Sequence, residues 1–86
     1  MKDHQQEGRP FDIYVRLPNG NGCHLSVLPQ MTLHDLGLRV KDASIHLPET
    51  YRFIFKGHRV RNYIVTLSEL GVAHNSIIHI EPELTR

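Results

Sequence analysis

The stretch Phe11-Asp12-Ile13-Tyr14-Val15-Arg16-Leu17, then Pro18-Asn19-Gly20-Asn21-Gly22, then Cys23-His24-Leu25-Ser26-Val27 decides the fold. In its first run Phe11, Ile13, Val15 and Leu17 alternate with Asp12, Tyr14 and Arg16, the period-two pattern of a half-buried strand. The middle run is rich in residues that tolerate positive φ and so suits a reversal of the chain. Cys23, Leu25 and Val27 then alternate against His24 and Ser26. Two such runs around one loop read as a β-hairpin.

Outward from the hairpin, Pro29 stops the second strand. Thr32 is placed to cap a helix, with Asp35 three residues on in the acidic slot of a capping box. Leu33, Leu36, Val40 and Ala43 recur at helical spacing. Gly37 falls mid-helix at a cost of about 0.5–1 kcal/mol relative to Ala, Leu38 lies off the stripe, and Pro48 prevents continuation. Arg52-Phe53-Ile54-Phe55 reads as a third strand turning at Gly57, and Arg59-Val60-Arg61 as a short fourth. Thr66 to Val72 reads as one capped helical turn ending at Gly71. Ser76 to Glu81 is a last strand, with Ile78 and Ile80 on one face and Ile77, His79 and Glu81 on the other. The order β-β-α-β-β-turn-β predicts an α+β domain, a mixed five-stranded sheet packed on one α-helix. Residues 1–10 are polar and aperiodic and read as a disordered leader, with the domain over residues 11–84.

Composition narrows the function classes. A chain of 86 residues makes one domain, and at this size only about 60–65% of the unfolded surface is buried, so the core must be economical. The 40% hydrophobic and 22% charged residues suit a globular chain rather than a disordered one. The longest stretch without a formal charge, Leu17 to His34, is broken by Pro18, Gly20, Gly22 and Pro29. A membrane span needs about 20 mainly apolar residues, so no membrane role is expected. Met1 to Glu7 lacks the apolar core of a signal peptide, and the single Cys23 excludes an internal disulfide or a thiolate-rich zinc site. These features point to a reducing compartment, cytoplasmic or nuclear. Net charge is only +1, yet no acid lies between Glu49 and Glu69, where Arg52, Lys56, His58, Arg59 and Arg61 cluster. The simplest account of that cluster is a solvated strand pair with charged edges; an acidic partner is the other.

Ile13-x-Val15, Gly20, Leu25-x-Val27-x-Pro29, Thr32, Arg52-x-Ile54-Phe55-x-Gly57, Thr66-Leu67-Ser68 and Ser76-x-x-His79 stand in an ordered spacing. In that spacing the chain resembles the ubiquitin-like β-grasp family, from Phe11 to Leu84 with one inserted residue near Tyr63–Val65. The resemblance implies the β-grasp fold and a role in protein recognition. It also implies a non-conjugating type: Glu81-Pro82-Glu83-Leu84-Thr85-Arg86 carries no Gly-Gly, and Arg16, Asn21, Gly37, Arg39, Ala43, His58 and His74 stand where the family's chain-building lysines stand. The family binds partners on an apolar patch of the exposed sheet face. Ile54 keeps the central isoleucine of that patch and His79 its neighbouring histidine, while Pro18 beside Leu17 and Glu81 depart from it. Strand alternation adds Tyr14, Arg16, Arg52, Ile77 and His58 to the expected partner-binding set, and Leu17 joins it as the neighbour of the hairpin-tip position held by Pro18. Arg52 is expected to pair with a partner's acid, and Glu81 to repel some of them.

The expected partner is thus a protein, from the ubiquitin or proteasome pathway or within the same chain, met by a monomer. A regulatory domain inside a larger enzyme is the alternative. Nucleic acid is a third class: Tyr51, Phe53, Phe55 and Tyr63 interleave with Arg52, Lys56, Arg59 and Arg61 as in a stacking platform, but Phe53 and Phe55 share one strand face and are expected in the core. Catalysis, a cofactor and a metal site are not expected. The seven histidines form no ligand-spaced pair. Cys23 alternates with core residues and has no base beside it, and Gly20-x-Gly22 is a turn signature.

Overall fold

The structure, a computed structural model, describes residues 8–43 and 50–83. Most of the expected leader (residues 1–7), the helix stop at Pro48 and the domain end at Leu84 lie outside the described residues. Seven elements follow the expected order: β1 (Phe11–Arg16), β2 (Gly22–Val27), α1 (Leu33–Ala43), β3 (Tyr51–Phe55), β4 (His58–Val60), α2 (Leu67–Leu70) and β5 (Ile77–Pro82). The fold is α+β, and its arrangement is compatible with a β-grasp.

The sheet order is β2-β1-β5-β3-β4. Antiparallel hairpins β1–β2 and β3–β4 flank β5, which runs parallel to β1 and antiparallel to β3. The hairpin register pairs Ile13 with Leu25 and Val15 with Cys23, so the alternating runs share one apolar face. That face and the helix close on a core of Ile13, Val15, Val27, Leu33, Leu36, Val40, Phe53, Leu67, Ile78 and Ile80, with no polar or charged side chain buried among the described residues. Burying each such aliphatic or aromatic side chain contributes about 1.5–3 kcal/mol.

In α1 the apolar stripe is Leu33, Leu36, Gly37 and Val40. Ala43, expected on it, is exposed among the described residues. Gly37 is buried because Tyr51 lies over it. A Cβ there would sit 2.5 Å from the Tyr51 hydroxyl, so the propensity cost of Gly allows helix and sheet to approach closely. Leu38 is 52% exposed, and nothing in the structure explains it.

The two helix starts are built alike and face each other. Thr32 Oγ1 accepts from the Asp35 amide at 3.1 Å, while Asp35 accepts from the Thr32 amide at 3.2 Å. Thr66 Oγ1 accepts from the Glu69 amide at 3.1 Å, and Glu69 accepts from the Thr66 amide at 3.0 Å. The two threonines form an isolated antiparallel bridge. Around it the Leu33 amide donates to the Val65 carbonyl and the Leu67 amide to the Met31 carbonyl. Gly71, with φ of 89°, caps α2. Thr66→Ala removes one of these caps and is expected to cost about 1–2 kcal/mol in urea denaturation, with Thr66→Ser close to wild type. A loss below a few tenths would show that the bridge alone holds α2.

Candidate functional site

Residues opposed across a ladder project to the same side of a sheet, so the register lays out the outer face. One row runs Arg16, His79, Ile54 and Arg59 across β1, β5, β3 and β4. A second row is His24, Tyr14 and Ile77. Glu81 and Arg52 stand opposite each other on the far side of the first. The helix covers the other face, so this one carries no element of the described chain.

Ile54, the centre, is half-buried and Ile77 is 48% exposed. Tyr14 is half-buried with its ring 4.8 Å from that of His24, and His79 and Arg16 are exposed. Arg52 and Glu81 pair at 3.2 Å, and Arg59 reaches both Glu83 oxygens at 2.8 Å. Each pair is partly exposed and contributes at most about 1 kcal/mol. Their larger effect is on charge. The antiparallel β3–β5 ladder lays the acidic end of the chain on its basic middle, so Arg52 is already matched and Glu81 is not an unpaired acid. Arg16 is left as the cation of the centre. Near it, an open depression of about 460 Å³ is lined by Arg16, Pro18, Gly20, Arg52, His79 and Glu81, among others.

Two residues of the expected set lie elsewhere. Leu17 is only 7% exposed; it continues the inward face of β1 into the core and presents almost nothing to a partner. His58 pairs with Phe55 and so projects to the helix side of the sheet, away from Ile54. Arg59, absent from that set, takes the place beside Ile54. Its signal was present in the sequence: a two-residue turn at Lys56-Gly57 puts Arg59, not His58, opposite Ile54.

The aromatic residues do not form a platform for bases. Phe53 is fully buried and Tyr51 and Tyr63 meet its ring edge-on, at 5.6 and 5.7 Å between centroids. The Tyr63 hydroxyl donates to the Tyr51 carbonyl at 3.0 Å. Burial, with Tyr63 nearby as the lesser cause, pushes the Tyr51 phenol above its ordinary pKa. Cys23 is half-buried against the core, and burial pushes its thiol up, which disfavours the reactive thiolate. No group of three or more metal-ligating side chains comes together among the described residues. No described helix is long and apolar enough to cross a membrane. No protein-family model and no curated protein matches the chain.

Proposed function

We propose that the chain is a ubiquitin-like domain of the β-grasp type that recognises a protein partner through the outer sheet face around Ile54. The observation that carries this reading is a sheet face, uncovered among the described residues, on which Ile54, Ile77 and Tyr14 stand together while Arg52 and Arg59 beside them are matched to Glu81 and Glu83 and Arg16 is left as the cation. A mixed apolar and cationic surface with few uncompensated charges is the composition that interface centres favour. Ile54 supplies apolar area at the middle, Ile77 and Tyr14 extend it, and His79 and Arg16 offer hydrogen-bond donors at its edge. A partner helix with an apolar stripe and flanking acids fits this layout, with its acids directed to Arg16. Partners of this chemistry include ubiquitin-binding and proteasomal domains and other segments of a longer chain.

The test is a pull-down with the wild-type domain, followed by calorimetry of the main partner against wild type and Ile54→Ala. Ile54 is half-exposed, so its truncation leaves the fold intact by circular dichroism. Affinity is expected to fall more than tenfold, about 1.4 kcal/mol or more. Unchanged affinity would sink the reading.

A further inference from the structure

A second surface lies on the opposite side of the β3–β4 hairpin, independent of the Ile54 face. A groove of about 550 Å³ opens between this hairpin and α2. Its floor is apolar, made by Phe55, Val60, Val65 and Leu70. Lys56, His58 and Arg61 stand on its rim and are exposed. Arg59 also borders the groove, but its side chain belongs to the Ile54 face, where Glu83 holds it. The other three pair with no acid among the described residues, and no acid occurs from Thr50 to Ser68. The groove therefore combines an apolar trough with two cations, Lys56 and Arg61, that no acid among the described residues pairs, and with the polar ring of His58.

Two further observations point the same way. Among the described residues β4 ends the sheet, so an extended segment laid along it meets backbone groups that no described strand pairs. Lys56 also occupies the first position of the two-residue hairpin turn with φ of 53°. Asn, Asp or Gly adopt that left-handed conformation at less cost, and a lysine there is disfavoured. Holding it puts an ammonium at the mouth of the groove.

We infer that this groove binds an extended acidic–apolar peptide segment of a partner, with alternate apolar side chains in the trough and carboxylates on Lys56, His58 and Arg61. A β-strand presents its side chains alternately to two sides, so a segment alternating Leu or Phe with Asp or Glu satisfies floor and rim together.

The test is fluorescence anisotropy with a fluorescein-labelled pool of short peptides alternating Asp or Glu with Leu or Phe. Saturable binding to the wild-type chain is expected. Arg61→Glu should weaken it about tenfold, and Lys56→Glu with Arg61→Glu further, as expected for charge reversal at a complementary rim. Both sites are exposed, so both variants keep the wild-type melting transition. Leu70→Ser should also weaken binding, checked for folding in the same way. Equal affinity for a pool with Lys in place of the acids would overturn the proposal, as would absence of saturable binding. Binding that Ile54→Ala abolishes and Arg61→Glu spares would move the peptide to the outer face and overturn it too. Arg61-dependent sedimentation with phosphatidylserine vesicles, without peptide binding, would assign the groove to a lipid surface instead.

Discussion

Phe53→Ala is expected to destabilise the domain by about 3–5 kcal/mol, the range for truncating a fully buried aromatic ring. Phe53 has no exposed surface, stands opposite Val60 in the sheet and is met edge-on by Tyr51 and Tyr63. Those neighbours cannot easily move into the space: the Tyr63 hydroxyl is tied to the Tyr51 carbonyl, and the Tyr51 ring is laid over Gly37. The cavity therefore stays open, and its cost adds to the lost transfer energy. Small domains have about 5–10 kcal/mol in total, so the urea midpoint should fall by a third or more. Phe53→Leu, which keeps most of the volume, should lose clearly less. Equal losses for the two variants, or less than about 1 kcal/mol for the alanine, would show that the aromatic cluster does not organise the core.

Gly22→Val should cost about 1–3 kcal/mol, the range for overpacking, although valine is the better strand former. A Cβ at Gly22 would run into the ring and hydroxyl of Tyr14 and into the Val15 carbonyl. The carbonyl belongs to the β1–β2 ladder and cannot retreat without loosening it, so the strain falls on the hairpin. Tyr14 must also leave its place beside His24. Loss of the ring-current shift on His24 in proton NMR, together with the lower urea midpoint, is the expected pair of results. A variant as stable as wild type with His24 unmoved would refute the close approach. If the outer face binds as proposed, the same variant should weaken the partner while Ile54 stays in place.

Much of the fold was legible because its signals are local. Alternation in Phe11–Leu17 and Cys23–Val27 needs only the pleat of a strand to become a face, and the caps at Thr32 and Thr66 need only their own next three residues. The candidate site was legible where alternation sufficed: Tyr14, Arg16, Arg52, Ile54, Ile77 and His79 lie on the outer face. It failed at His58 and Leu17. His58 follows a turn whose length resets the alternation, and Leu17 was placed by resemblance to a neighbouring position against its own inward periodicity. Gly37 shows the same limit, since the sequence shows a helix cost and only the position of Tyr51 shows what it makes room for.

What the sequence determined by itself was the set and order of the elements, their apolar faces and their caps, because each depends on residues within a turn or a strand of one another. Only the tertiary structure decided how charge is distributed. The basic middle and the acidic end are some thirty residues apart along the chain, as Arg52 and Glu81 show with a separation of 29, and no local pattern relates them. The antiparallel register of β3 with β5 brings them together. It matches Arg52 and Arg59 to Glu81 and Glu83, and leaves Arg16 on one face and Lys56, His58 and Arg61 on the other without an acid among the described residues.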